Sequence, residues 1–137
     1  MKFYVWRDFS RACNRETNET VMLSHNSSRY VYIFSDCVLK LDSQSAFYGE
    51  QCEQEAVFYA KLNKEDREYF AEIIESGYYR DIPYVIQKRV FGEYCFDAET
   101  RISLKKRFNL EDLHHRNVFL RNDTGQPVIV DYGLNNE

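Results

Sequence analysis

Short apolar runs separated by polar turns occupy much of this chain, and they predict strands more often than helices. Residues 29–34 and 37–42 are two runs rich in β-branched and aromatic side chains, with only Ser35-Asp36 between them. This pattern predicts a β-hairpin. Residues 69–78 and 82–90 predict a second hairpin, with turn chemistry at Ser76-Gly77 and Arg80-Asp81. With residues 21–23 added before the first hairpin, the pattern indicates a sheet of about five strands.

Two other segments have helical periodicity. Residues 45–62 predict a helix, because their apolar side chains recur three and four residues apart. The side chains that form this stripe are Cys52, Ala56, Tyr59 and Ala60, widened by Val57 and Phe58. Residues 97–108 predict a shorter helix that packs through Ile102, Leu104 and Phe108. Residues 2–6 are a candidate edge strand, residues 8–13 a helical turn, and residues 14–20 a flexible loop. The predicted fold class is therefore α+β.

Composition limits the kinds of protein this chain can be. Its 137 residues predict one domain with a real core, and 11 Tyr and 10 Phe provide many rings to fill it. The net charge of −4 argues against nonspecific binding to nucleic acid or to an anionic membrane. No 18-residue apolar run exists, and the N-terminal apolar stretch is too short for a signal peptide. Four cysteines without C-x-x-C spacing favour a reduced, cytoplasmic protein.

The aromatic content also bears on partners. Tyr78-Tyr79, Phe91 and Tyr94 are candidates for exposed aromatic surface, which would favour a protein partner or self-association. The alternative is that these rings simply fill strand faces. Residues 105–107, Lys-Lys-Arg, are most simply a solvated helix face, although a phosphorylated partner is an alternative.

The residues with the clearest chemical pattern lie in the last quarter of the chain. Asp112 is followed five residues later by Asn117, and Asp131 begins an Asp-Tyr-Gly triplet after the apolar run 128–130. Phosphoryl transfer needs a carboxylate beside the attacking hydroxyl and oxygen ligands that hold Mg²⁺ on the nucleotide phosphates. Asp112 fits the first role, and Asn117 with Asp131 fits the second. The alternative is that these are turn residues and that the adjacent His pair is a solvated loop.

In this segment the chain resembles the protein-kinase-like superfamily. The Asp-Leu-His-x-x-Asn form is more similar to aminoglycoside and choline kinases than to ordinary protein kinases, and compact phage kinase-like proteins are similar too. The resemblance implies that the chain binds ATP and Mg²⁺ and that Asp112 orients the acceptor. It also places His114 where kinases commonly have a lysine, so this side chain would touch the transferring phosphoryl group or remain a solvated loop His. A phage protein would act in the host cytoplasm.

Upstream residues extend the resemblance. Lys40 lies inside the run 37–42, and Glu55 begins a Glu-Ala-x-x-aromatic pattern typical of the kinase αC helix. In kinases this Lys and Glu pair and hold the α- and β-phosphates. Glu53 is the competitor, but two residues span about 200° of a helix, so only one of the two can face the lysine. The alternatives are a lysine on an edge strand and a glutamate on the surface.

The same alignment predicts the adenine site. Residues 70–77 resemble kinase strand β4, and residues 83–90 resemble strand β5 and the hinge. It places Ile86 at the back of the adenine pocket, with the backbone of Gln87 to Arg89 on the adenine edge. The expected organisation is one kinase-like domain, with an N-terminal extension (1–19), an N-lobe-like part (20–90) and a reduced C-terminal lobe (91–137).

Departures from the kinase pattern leave the function open. The loop 24–28 has no glycine to approach phosphate closely, and Leu110-Glu111 replaces the usual His-Arg before Asp112. The interval 91–111 holds one predicted helix where conventional kinases hold several, and no activation segment follows. Two functions remain: a Mg-ATP-dependent phosphotransferase acting on a protein or small-molecule hydroxyl, or an inactive pseudokinase-like protein that binds a partner or only nucleotide. A second copy or another protein would complete the substrate site.

Overall fold

The computed structural model describes residues 21–23, 29–34, 36–42, 51–110 and 113–132. The predictions for residues 1–20, the loop 24–28, residues 43–50, Asp112 and Gly133 lie outside this part of the chain. The chain divides into two compact units, residues 1–52 with 73–89 and residues 53–72 with 90–137. In the described residues no helix is long and apolar enough to cross a membrane.

The first unit contains an antiparallel sheet of five strands, as the sequence predicts. The strands are β1 (Val21–Leu23), β2 (Arg29–Ile33), β3 (Cys37–Asp42), β4 (Ile73–Tyr79) and β5 (Ile82–Lys88), in the order β1-β2-β3-β5-β4. Strand β3 therefore lies between β2 and β5, and its register pairs Lys40 with Val31 on one side and Val85 on the other.

The core of the first unit covers one face of this sheet. Leu39 pairs with Tyr32 and Ile86, so these side chains point to the same face. The buried cluster on that face consists of Tyr32, Phe34, Cys37, Leu39, Leu41, Ile82 and Ile86. Residues one position along each strand, including Lys40, point to the opposite face.

The β4–β5 turn is Arg80-Asp81, with φ angles of 50° and 69°. Two positive φ values in a two-residue loop match a type I′ hairpin, whose twist suits the flanking strands. Ser76-Gly77, the other predicted turn, lies inside β4 instead, where Gly77 pairs with Tyr84. That part of the prediction is wrong, because glycine also occurs within strands where a neighbour packs closely, and here the Tyr84 ring lies against Gly77.

The helix α1 (Gln51–Lys61) leads from the first unit into the second. The second unit also holds a 3₁₀ turn (Asp66–Tyr69), a helix α2 (Ala98–Phe108) and a second 3₁₀ turn (His115–Asn117). A three-stranded antiparallel sheet β6-β7-β8 completes it: β6 (Gly92–Tyr94), β7 (Val118–Arg121) and β8 (Pro127–Ile129).

Aromatic rings pack against one another in the second unit. Phe70 makes edge-on contacts with Phe108 and Tyr132, with ring centroids 4.8 and 5.0 Å apart, and Phe58 lies 5.1 Å from Phe70. The predicted packing role of Phe108 is therefore confirmed, and Leu104 is buried. Ile102 was predicted to pack with them, but it is 61% exposed. Ile102 lies two positions from Leu104, so a helix that buries Leu104 turns Ile102 away.

Helix α1 also differs from its predicted stripe. Cys52 is fully buried, as predicted, but Val57 is 48% exposed and Ala60 is exposed. The buried positions of the helix include the polar residues Gln51 and Glu55. Apolar periodicity placed the stripe incorrectly, because the inward face of this helix carries polar side chains.

Candidate functional site

Lys40 occupies the middle of an internal strand of the first unit. It is only 5% exposed, so the alternative of a lysine on a solvated edge strand is wrong. Its neighbours across the sheet are Val31, which is half-buried, and Val85, which is fully buried. Strand pairing and period-2 alternation place Val38 and Gln87 on the same face. The lysine thus lies among apolar side chains, where a charged group is rarely found without a partner.

The register also corrects the predicted adenine pocket. Ile86 packs in the core cluster on the face opposite Lys40, so it cannot line a pocket on the lysine's face. Val85 and Gln87 share that face instead, because successive side chains of a strand alternate. The side chain of Gln87 is 2% exposed.

Arg89 closes the turn between β2 and β3. Its N–H donates to the carbonyl of Asp36 at 2.9 Å, and its guanidinium donates to the carbonyl of Phe34 at 2.9 Å. The backbone donor predicted to bond the adenine edge is therefore already used within the first unit. This geometry argues against an adenine contact by the N–H of Arg89.

Glu55 is fully buried in the second unit, whereas Glu53 is partly exposed. One carboxylate oxygen of Glu55 accepts the backbone N–H of Tyr132 at 2.8 Å. Residues 77 positions apart in sequence are thereby joined through a charged acceptor, and such bonds are stronger than neutral ones. Lys40 belongs to the other unit, and its pairing with Glu55 stays a prediction.

Asp131 lies between two hydrogen-bonded residues. The N–H of Val130 donates to the carbonyl of Asn117 at 2.8 Å, and Tyr132 on the other side is held by Glu55. Asn117 ends the 3₁₀ turn, and its own N–H donates to the carbonyl of His114 at 2.9 Å. In the second unit, the Glu55 side chain and the Asn117 carbonyl thus hold the main chain on the two sides of Asp131, at Tyr132 and Val130.

The donor set suits a magnesium ion bound to nucleotide. Mg²⁺ prefers oxygen ligands and usually takes one or two carboxylates, with phosphate and water oxygens filling its other positions. A carboxylate at Asp131 and an amide at Asn117, on adjoining segments, are ligands of this type. In the described ranges no group of three His, Cys, Asp or Glu side chains could hold a metal by itself.

The segment before Asn117 places its histidines differently. His114 is exposed, and His115 is half-buried and stacks on Phe96 with ring centroids 4.7 Å apart. Exposure is compatible with both alternatives for His114, contact with a phosphoryl group and a solvated loop. Asp112, the predicted orienting residue, lies outside the described part.

Two residues of this region had no role predicted from the sequence. The carboxylate of Asp42, at the end of β3 and 2% exposed, accepts the N–H of Cys52 at 3.2 Å at the start of α1. Tyr132 is fully buried, and its hydroxyl donates to the carbonyl of Ala71 at 2.9 Å. The signal for Tyr132 was present in the Asp-Tyr-Gly triplet, whereas a cap from Asp42 to a helix starting nine residues later has no local pattern.

Three solved structures with a similar fold contain a kinase activity, a kinase domain or a bound nucleotide analogue. The chain matches the bifunctional kinase-methyltransferase WbdD (TM-score 0.56, 14% identity) over 82% of this chain and 31% of that one. It matches the Mycobacterium tuberculosis PknI kinase domain with a TM-score of 0.54 and 16% identity, over 85% of this chain and 59% of that one. It matches Rad53 residues 1–466 in complex with AMP-PNP with a TM-score of 0.57 and 15% identity, over 93% of this chain and 43% of that one.

These similarities establish the fold class. The chain has a protein-kinase-like α+β fold, and it spans from about a third to three fifths of the length of these structures. No family model and no curated protein matches the sequence. At 13–16% identity the likeness concerns the fold, and activity has to be argued from the site.

Proposed function

We propose that this protein is a Mg-ATP-dependent phosphotransferase acting on a hydroxyl group of a protein or small molecule. The observation that carries the proposal is that, in a kinase-like fold, Glu55 and Asn117 hydrogen-bond the two residues that flank Asp131. Glu55 and Asn117 are 62 positions apart in sequence and Asn117 and Asp131 are 14 apart, so the second unit brings together residues from separate segments.

Residues of the first unit supply the nucleotide-binding part of the proposal. Val31, Val38 and Val85 would pack against the base, and Lys40 on the same face would contact phosphate oxygens. Gln87 would contribute a polar group near the base. Rad53 was solved with AMP-PNP, a nucleotide analogue, and WbdD with a kinase inhibitor, so two proteins of similar fold hold ligands.

Residues of the second unit would carry the chemistry. Asn117 and Asp131 would hold Mg²⁺, which when bound neutralises charge on the phosphates. Glu55 fixes the main chain beside Asp131. Asp112 would orient the acceptor hydroxyl and take its proton, and His114 would contact the phosphoryl group. The Asp-Leu-His-x-x-Asn pattern supports a small-molecule acceptor and a compact, phage-type relative.

The first test is a thermal melt with and without Mg-ATP. A ligand that binds only the native state stabilises it, by about 2.7 kcal/mol at a hundredfold excess over Kd. We expect the melting midpoint of the wild type to rise with Mg-ATP, and to rise less when EDTA removes the metal. Asp131→Asn should lose the Mg-dependent part of the rise. Asp123→Asn is the matched control, because Asp123 is exposed in the β7–β8 turn.

The second test separates binding from turnover. ATP hydrolysis and transfer to a panel of hydroxyl acceptors are measured for the wild type and Asp112→Ala. We expect Asp112→Ala to keep the Mg-ATP shift and to lose turnover. Equal turnover in the two proteins would contradict the proposed role of Asp112, and absence of any shift in the wild type would contradict the nucleotide site.

A second candidate function is partner binding by an inactive, pseudokinase-like protein. The specific observation in its favour is exposed aromatic surface in the second unit, where Phe91, Tyr94 and Phe96 are 51%, 44% and 70% exposed. A Mg-ATP shift without turnover on any acceptor would favour this function over catalysis.

A further inference from the structure

A small amphipathic cavity lies on the surface of the second unit. Neither Asn117 nor Asp131 lines it. Its volume is about 150 Å³, and its walls are Ala98, Arg101, Ile102, Lys105 and Leu113. Four of these residues belong to α2 at positions 98, 101, 102 and 105. This spacing places them on one face of the helix. Leu113 supplies the facing wall.

The floor of this cavity is apolar. Ile102 is 61% exposed although it lies at the centre of the helix face, and Leu113 is 7% exposed. The cavity is open to solvent, and Ala98, Ile102 and Leu113 form the apolar part of its lining beside Arg101 and Lys105. Its volume is enough for one aliphatic or aromatic side chain, which would remove part of Ile102 from water.

The rim of the cavity is positively charged. Arg101 and Lys105 line it, and α2 as a whole carries four Lys or Arg residues against one Glu. Acidic residues are fewer but present: Asp97 caps the N-terminus of α2, and Leu113 lies in sequence between Glu111-Asp112 and His114-His115-Arg116. The chain has a net charge of −4, so this basic face has the opposite sign to the molecule as a whole.

Arg101 is held in place. Its guanidinium donates to the carbonyl of Cys95 at 2.9 Å, which uses one of its five N–H donors. A cation held by the protein before binding loses less conformational entropy when it pairs with an anion. Arg107 differs from it, because its guanidinium forms an ion pair with Asp66 at 2.9 Å.

We propose that this face docks an acidic peptide segment of a partner protein that carries one apolar anchor side chain. The anchor would enter the cavity over Ile102 and Leu113, and carboxylates beside it would pair with Arg101 and Lys105. Charge complementarity selects this occupant over a basic or neutral one, because like charges at an interface are costly. The docking requires neither nucleotide nor turnover, and it adjoins the proposed active site in sequence, because Leu113 lies between Asp112 and His114.

The experiment is a selection of random 12-residue displayed peptides on the full-length protein, followed by fluorescence anisotropy of the enriched peptides. We expect the enriched peptides to be rich in Asp and Glu and to share one Leu, Ile or Phe. Lys105→Glu should weaken their binding at least tenfold, and Ile102→Ser should weaken it severalfold. Raising the salt concentration should weaken it too, because exposed ion pairs are screened.

Lys106→Glu is the matched control, since it makes the same charge change on the next residue of the helix, outside the cavity lining. It should change the affinity less than threefold. All three side chains are exposed, and circular dichroism and melting curves check that each variant remains folded.

Three outcomes would overturn the proposal: enrichment of basic or neutral peptides, no enrichment over an uncoated surface, or equal losses in Lys105→Glu and Lys106→Glu. A fourth is self-association of the wild type in sedimentation that Ile102→Ser abolishes, because the occupant would then be a second copy of this chain.

Discussion

A single buried carboxylate connects two distant parts of the second unit. Glu55 is fully buried and accepts the N–H of Tyr132, so its removal would leave a buried donor without a partner. Leaving such a donor unsatisfied costs about 1–3 kcal/mol, which is more than a typical hydrogen bond contributes.

The expected effect of Glu55 variants follows from this bond. Glu55→Ala should lower the free energy of unfolding by about 1–3 kcal/mol, whereas Glu55→Gln keeps an acceptor oxygen and should lose less. Urea denaturation measures both. Glu53→Ala, on the same helix and partly exposed, is the control and should change little. Equal losses for the Gln and Ala variants would show that the acceptor does not matter.

Tyr84 gives a second prediction at this scale. Its hydroxyl donates to a carboxylate oxygen of Glu75 at 2.5 Å, and burial followed by this bond raises the pKa of Tyr84 from 10.0 to about 12. The protonated phenol is therefore favoured in the folded state. Its contribution to stability should be complete below pH 10 and should disappear as the pH rises towards 12.

The measurement is the difference in unfolding free energy between wild type and Tyr84→Phe as the pH is raised. Since other tyrosines and lysines titrate in the same range, only the difference between the two proteins isolates Tyr84. We expect that difference to shrink between pH 10 and 12. A constant difference over this range would contradict the raised pKa.

Among the elements, the β4–β5 hairpin has a turn that a substitution should stabilise. Asp81 has a φ of 69°, which costs an L-residue about 1 kcal/mol, whereas glycine adopts it freely and loses about 0.5 kcal/mol of chain entropy. Asp81→Gly should therefore raise the unfolding free energy by about 0.5 kcal/mol. Asp81→Val, β-branched at positive φ, should lower it. Chemical denaturation of the two variants should move the midpoint in opposite directions.

Elements with local signals were predictable, and those defined by distant pairing were not. Helix α2 follows Asp97, whose side chain accepts the N–H of Glu99 as an N-cap, and it was predicted within one residue. Strand β6 has only three residues, and it exists because it pairs with β7, which begins 24 positions after β6 ends. Strands β7 and β8 did carry a usable signal, because Asn122 to Gly125 between two apolar runs favour a hairpin.

At the scale of the whole molecule, the order of motifs predicted the fold more reliably than any single one. The kinase-like class follows from a lysine strand, a glutamate helix, two more strands and the Asp-Tyr-Gly triplet in sequence. The fine positioning of site residues was harder. The error at Ile86 is a shift of one residue, and in a strand that shift moves a side chain to the other face of the sheet. Only the pairing register shows which face of the sheet each side chain of β5 points to.

The buried cysteines allow the opening of each unit to be measured separately. Cys37 lies in the core of the first unit and Cys95 in the second, and they are 1% and 0% exposed. A thiol with so little exposure reacts with an alkylating reagent only when its surroundings open, so the labelling rate reports a local opening free energy.

Mass spectrometry can distinguish the two sites in one sample. We expect Mg-ATP to slow the labelling of Cys37, since ligand binding stabilises the native state around its site. Unequal protection of the two thiols would show that the halves of this chain open independently, and equal protection would show that they open together.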